Sequence, residues 1–99
     1  MNILIVDDEA PARQLLGSML LDMGEPYRVV GEAANGREAI ECCQAMEVDL
    51  VLLDIRMPVM DGVEAAARIA RLDDPPAVIF VSAYEEHALH AFQGHALNY

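Results

Sequence analysis

Length, composition and charge exclude several classes of protein. The chain has 99 residues, the size of one domain with a single core. Its 6 basic and 17 acidic residues give a net charge of −11, which argues against this chain binding nucleic acid or an anionic membrane by itself. Cys42 and Cys43 are adjacent and lack zinc-type spacing, so we expect reduced packing residues. We find no signal peptide or membrane span and expect a cytoplasmic protein.

The strand patterns are four short runs. Residues 3–6, 50–53 and 77–81 are continuously apolar, which predicts strands buried on both faces, as in a parallel sheet covered by helices. Residues 27–33 mix polar and apolar side chains, which predicts an edge strand. Residues 96–99 resemble the start of a fifth strand that is cut off.

Helical patterns follow each of the four runs. Pro11 suits a first helical turn, and an apolar stripe then ends near Gly24: Leu15, Leu16, Met19, Leu20 and Met23. Pairs with capping-box spacing open the other three helices: Asn35 with Glu38, Asp61 with Glu64, and Ser82 with Glu85. Strands alternating with helices predict right-handed βαβ units and a doubly wound sheet.

Acidic residues and a hydroxyl follow the three apolar runs. Asp7, Asp8 and Glu9 come after the first run, Asp54 after the second and Ser82 after the third. Because ligands in such folds bind outside the carboxyl ends of the strands, we expect these groups to converge on one rim. Taken singly, each has a structural explanation as a helix cap or a turn residue. Their joint occurrence favours a functional site.

A carboxylate cluster of this kind must hold either a proton or a cation. Two unit charges about 4 Å apart repel by roughly 4 kcal/mol at an effective dielectric constant near 20. Ligands that are all oxygen favour a hard ion such as Mg²⁺. A carboxylate beside Mg²⁺ can attack phosphorus and form an acyl phosphate. Such a cluster is therefore compatible with magnesium-assisted phosphoryl transfer.

Four segments in this order resemble the receiver domain of two-component response regulators. They are ILIVDDE at 3–9, LLDIRMP at 52–58, DG at 61–62 and VSA at 81–83. The resemblance spans residues 1–99 and implies an α/β, flavodoxin-like (CheY-like) doubly wound parallel sheet of order 2-1-3-4-5. We expect the fifth strand and last helix to be missing or incomplete, with the chain truncated before the Lys-Pro pair that receivers carry in strand 5.

The resemblance also implies a role for each matching residue. Asp54 would be the phosphoacceptor. Asp7, Asp8, Asp54 and the backbone carbonyl of Arg56 would form the Mg²⁺ site. Ser82 would donate its hydroxyl to a phosphoryl oxygen and act in the switch. The domain would catalyse only its own phosphorylation and dephosphorylation, and so would not be an enzyme acting on other substrates.

Residues near the end of the chain resemble one subgroup of this family. Residues 83–92 and 96–99 are similar to receivers of the LytTR class, the AlgR-type regulators, in which a receiver precedes a DNA-binding domain. Tyr99 aligns with the switch aromatic of the fifth strand. The resemblance implies a sensor histidine kinase as partner, a homodimer as a further assembly, and DNA binding only through an output domain absent from this chain. No membrane partner is implied.

Other classes fit the residues less well. A haloacid dehalogenase-type phosphatase would need a second acid where Arg56 stands. A flavin-binding module would need a phosphate-cradling loop after the first strand, where the acids at 7–9 would repel phosphate. A receiver-like interaction module that is never phosphorylated stays open, because the expected lysine is absent.

Three histidines near the end of the chain invite a metal interpretation. His87 and His90 can share a helical face, but no third ligand of obvious spacing accompanies them and His95. Histidines that face solvent or a partner are the favoured interpretation.

Overall fold

The computed structural model describes residues 1–81, and the structural statements below refer to that range. In chain order the elements are β1 (Asn2–Val6), α1 (Ala10–Met23), β2 (Arg28–Ala33), α2 (Gly36–Ala45), β3 (Leu50–Leu53), α3 (Gly62–Ile69) and β4 (Ala77–Phe80). The four strands are parallel and lie in the order β2-β1-β3-β4. This confirms the predicted fold class. The predicted fifth strand and the helix opened by Ser82 lie outside the described residues.

The two central strands, β1 and β3, position the acidic residues that follow them. β1 and β3 pair in register from Ile3 with Leu50 to Val6 with Leu53, so both strands end at the same level. The backbone N–H of Asp54 extends this ladder by donating to the carbonyl of Val6 at 2.9 Å. The residues that follow β1 and β3 are therefore neighbours at the carboxyl edge of the sheet. β2 lies at an edge of the sheet, as predicted.

One face of the sheet carries a closed core with α2 and α3. Its strand residues are aliphatic side chains and one phenylalanine, and its helix residues are two alanines and one isoleucine: Leu4, Val6, Ala33, Val51, Leu53, Val78, Phe80, Ala39, Ala65 and Ile69. Since α2 and α3 also pack against each other, small residues allow both helices to lie close to the sheet.

The apolar stripe predicted on α1 is only partly correct. The helix includes Pro11 in its first turn and ends before Gly24, as expected. However, none of its residues is fully buried, and Leu15, Met19 and Met23 are 62%, 53% and 58% exposed. The period of a sequence identifies one face of a helix, but burial requires an element packed against all of that face. Within residues 1–81, α1 packs mainly on β1 and β2.

Side-chain caps open the next two helices as the sequence predicts. Asn35 and Asp61 each accept a hydrogen bond from the backbone N–H three residues later, at 2.9 and 2.8 Å. Glu38 completes the first cap by accepting from the N–H of Ala34 at 2.9 Å. The cysteines on α2 are free thiols. Within residues 1–81, every helix is too short or too polar to cross a lipid bilayer.

Candidate functional site

Three carboxylates meet at the carboxyl edge of the sheet. Asp7 and Asp8 lie in the β1–α1 turn (residues 7–9), and Asp54 directly follows β3. Each offers an oxygen, and these oxygens all lie within 4.8 Å of one another. The pairing of β1 with β3 causes this convergence, because it places the two strand ends side by side.

Burial and mutual repulsion make the cluster electrostatically unfavourable when it is fully ionised. Asp54 is half-buried, and its pKa is raised to about 6 by burial and by the charges of Asp7 and Asp8. Hydrogen bonds from the backbone N–H groups of Arg56 and Ile55 lower that pKa but do not offset the increase. The pKa of Asp7, which is 7% exposed, is also raised, chiefly by burial.

The residues present fit a hard divalent cation. The three clustered groups supply only oxygen atoms, and a bound cation would offset their mutual repulsion. Asp8 is exposed and lines an open cleft of about 480 Å³ together with residues of the loop after β3: Ile55, Arg56, Met57, Pro58 and Asp61. Mg²⁺ usually retains waters and takes substrate phosphate oxygens, which such an open cleft can admit.

The β1–α1 turn is held by side chains. The carboxylate of Asp7 accepts the N–H of Glu9 at 2.9 Å. Arg13, in the first half of α1, donates from Nη1 to the backbone carbonyl of Asp7 at 2.6 Å and from Nε to Glu32 at 2.9 Å. Sequence reasoning missed Arg13. The available signal was a basic residue shortly after an acidic turn in a chain that has only 6 basic residues.

The loop between β3 and α3 (residues 54–61) is held by backbone contacts. The N–H of Gly62 donates to the carbonyl of Ile55 at 2.8 Å. A Cβ on Gly62 would overlap the carbonyl oxygen of Asp54 and lie 2.8 Å from the Cα of Ile55. Glycine at this position therefore allows the start of α3 to lie directly against the backbone of Asp54.

The family comparison decides what kind of site this is. Residues 3–99 match the response regulator receiver domain family. The chain belongs to this family. Its receiver fold and its acidic cluster agree with the resemblance seen in the motifs.

Relatives of this receiver include transcription regulators. The positive alginate biosynthesis regulatory protein of Pseudomonas aeruginosa is 48% identical over 100% of this chain and 40% of its own length. The transcriptional regulatory protein LytR of Staphylococcus aureus is 34% identical, with the same coverage of both chains. The receiver thus spans about 40% of the length of these relatives.

Two solved structures of a third relative contain Mg²⁺ with beryllium fluoride and a histidine kinase, respectively. Response regulator TrrA of Thermotoga maritima, in complex with Mg²⁺ and BeF, is 37% identical with a TM-score of 0.77, over 87% of this receiver and 72% of that chain. TrrA in complex with the histidine kinase ThkA has a TM-score of 0.74 at 37% identity, over 85% of this receiver and 70% of that chain.

The remaining predicted site residues have different outcomes. Arg56 lines the cleft beside Asp8, and the role of its backbone carbonyl as a metal ligand stays a prediction. Ser82 and Tyr99 lie outside the described residues of this receiver. The alternative role of Asp7 or Asp8 as a helix cap is not observed, because the N-cap of α1 is Glu9 and no side chain caps that helix.

Proposed function

We propose that this receiver accepts a phosphoryl group from a sensor histidine kinase onto Asp54, with Mg²⁺ bound by Asp7, Asp8, Asp54 and the carbonyl of Arg56. The observation that carries the proposal is the approach of three carboxylate oxygens to within 4.8 Å, two from the end of β1 and one from the end of β3. The kinase complex of TrrA supports the choice of partner.

Asp54 and Asp8 have distinct tasks in the transfer. An oxygen of Asp54 forms a bond to phosphorus, and the bond from phosphorus to the kinase histidine nitrogen breaks, leaving its electron pair on that nitrogen. Asp8 lines the open cleft through which a phosphoryl group would approach. Bound Mg²⁺ would neutralise charge on the phosphoryl oxygens. The N–H groups of Ile55 and Arg56 hold the Asp54 carboxylate in place.

The proposal also covers the longer protein to which this receiver would belong and the process that it would regulate. The relatives in Pseudomonas aeruginosa and Staphylococcus aureus are named as regulatory proteins. We therefore assign this receiver to a LytTR-type transcription regulator, with DNA binding carried by a separate output domain and with a homodimer as a further assembly. Ser82 would contact the phosphoryl group and Tyr99 would respond to it, as in other two-state phosphorylation switches.

Phosphorylation by a small donor tests the proposal. We expect incubation with acetyl phosphate and Mg²⁺ to add one phosphoryl group to the wild-type protein, measured by intact mass spectrometry. Asp54→Ala should gain none, and chelation of Mg²⁺ should prevent the gain. Asp22→Ala, at the far end of α1, is the matched control and should be phosphorylated like the wild type. A label that persists in Asp54→Ala, or that forms equally well without Mg²⁺, would contradict the proposal.

A further inference from the structure

Arg13 joins three parts of the molecule next to the acidic cluster. It lies on α1, its Nε is 2.9 Å from a carboxylate oxygen of Glu32 on β2, and its Nη1 is 2.6 Å from the backbone carbonyl of Asp7. The side chain of Arg13 is 19% exposed, whereas Arg68 and Arg37, which also pair with glutamates, are 56% and 73% exposed. The two nitrogens of one planar guanidinium thus fix two acceptors at a set separation.

The hydrogen bond from Arg13 to the carbonyl of Asp7 also affects the backbone orientation of Asp8. The peptide group that joins Asp7 to Asp8 is planar, so a bond to its carbonyl oxygen also sets the orientation of the N–H and Cα of Asp8. On the other side of Asp8, the N–H of Glu9 is held by the carboxylate of Asp7 at 2.9 Å. Both peptide groups that flank Asp8 are therefore fixed, and the first of them depends on Arg13.

Glu32 gives this arrangement two further properties. Its ion pair restricts the rotamers of the otherwise flexible Arg13 side chain, which lowers the entropy cost of the hydrogen bond from Arg13 to Asp7. Its negative charge also balances the guanidinium beside a site that attracts cations. Arg13 and Glu32 together can therefore orient the turn without adding a net positive charge that would repel a metal ion.

We propose that Arg13 is a positioning residue, which with Glu32 orients the Asp7–Asp8 peptide so that the Asp8 carboxylate faces Asp54 and strengthens divalent cation binding. This inference rests on the proposed function, because it assigns Arg13 a role in the Mg²⁺ site. The observed contacts of Arg13 are with Glu32 and the carbonyl of Asp7, so it would act on the cation through the turn and not as a ligand.

A charge-neutral double substitution tests this role. Arg13→Met with Glu32→Gln removes both bonds and leaves the net charge unchanged. We expect Mg²⁺ affinity, measured by isothermal titration calorimetry well below the melting temperature, to fall by about tenfold, since residues that orient metal ligands typically affect affinity by about 10- to 100-fold. Phosphorylation by acetyl phosphate should slow at limiting Mg²⁺ and recover at saturating Mg²⁺.

A matched control removes an Arg–Glu pair elsewhere. Arg68 and Glu64 on α3 are also 2.9 Å apart, and Arg68→Met with Glu64→Gln should leave Mg²⁺ affinity within about twofold of the wild type. If the first double variant fails to fold, Arg13→Lys keeps the charge but cannot reproduce the bidentate geometry, and its Mg²⁺ affinity should also fall. Wild-type affinity in a folded Arg13 variant would overturn the inference and leave the proposed function intact. Failure of the wild type to bind Mg²⁺ would overturn both.

Discussion

The two chain segments that bring acids to the site are held by different kinds of contact. The loop after β3 is fixed through its backbone, because Gly62 lies directly against the carbonyl of Asp54 and donates to that of Ile55. The β1–α1 turn is fixed through side chains, by Arg13 and by the carboxylate of Asp7. The position of Asp54 should therefore depend on the close approach at Gly62, whereas that of Asp8 should depend on the contacts of Arg13.

The largest expected effect tests the backbone contact at Gly62. Gly62→Ala would place a Cβ 2.8 Å from the Cα of Ile55 and against the carbonyl of Asp54, where neither neighbour is a flexible side-chain end. We expect the free energy of unfolding to fall by about 3 kcal/mol, at the upper end of typical overpacking costs. Urea unfolding monitored by circular dichroism measures this change.

Gly17 supplies the control for this substitution. In the middle of α1, a Cβ on Gly17 would meet, among residues 1–81, only the Cδ1 of Ile5, at 4.0 Å. Gly17→Ala should therefore stabilise the protein by up to about 1 kcal/mol through its helix propensity. Equal stability of Gly62→Ala and the wild type would show that the start of α3 does not constrain the loop after β3.

A second prediction concerns pH and the charge of Asp54. Its pKa is about 6 in the folded protein, above the ordinary value of 3.8, so the native state binds more protons than the unfolded state between these values. Without Mg²⁺, the free energy of unfolding should thus decrease as pH rises through this window. Mg²⁺ favours the ionised carboxylate, so its addition should raise the melting temperature more at pH 7.5 than at pH 5.

Asp54→Asn is the control for the pH prediction. The amide removes the buried charge, so this variant should melt above the wild type at pH 7.5 without Mg²⁺ and should lose most of the Mg²⁺-dependent increase. The difference in melting temperature between the wild type and Asp54→Asn isolates the contribution of the Asp54 charge. If the wild type gains stability relative to Asp54→Asn as pH rises from 4 to 6, the sign of the pKa shift is contradicted.

The smallest expected effect lies in the loop after β3. Val59 has φ +72°, and the N–H of Met60 donates to the carbonyl of Pro58 at 2.7 Å across it, which forms a tight γ-type turn. A positive φ is unfavourable for a β-branched residue, and the Val59 side chain is 76% exposed. Val59→Asn should therefore stabilise the protein by about 1 kcal/mol.

Val63, 55% exposed on α3, is the control for Val59. Val63→Asn should not stabilise the protein, because valine and asparagine have similar helix propensities. Equal responses of the two positions in chemical denaturation would rule out backbone strain at Val59 as the cause of any gain.

The sequence predicted those features that depend on local pattern. The continuous apolar runs located β1, β3 and β4 to within a residue at each end, and capping-box spacing located the starts of α2 and α3. The convergence of Asp8 and Asp54 could be anticipated because parallel strands end at one edge of a sheet. The chemical roles of these acids came from family resemblance, and they remain predictions to be tested.

Features that depend on tertiary contacts could not be predicted in the same way. The exposure of Leu15 and Met19 depends on which elements cover α1, and a periodic stripe does not contain that information. The bridge from Arg13 to Glu32 and Asp7 joins residues of three elements, and no local spacing rule identifies it. Gly62 was recognised only as part of a motif, whereas its physical reason is the approach of α3 to Asp54.

The most direct test of the account is a Mg²⁺ titration of the wild type, Asp8→Asn, Asp54→Asn and the double variant, with Asp22→Asn as a control for the loss of one charge. We predict one bound ion in the wild type, a large loss of affinity in either site variant, and a combined loss smaller than the sum, because both acids would hold the same ion. Wild-type affinity in Asp54→Asn, or two losses that simply add, would contradict a cation shared between the ends of β1 and β3.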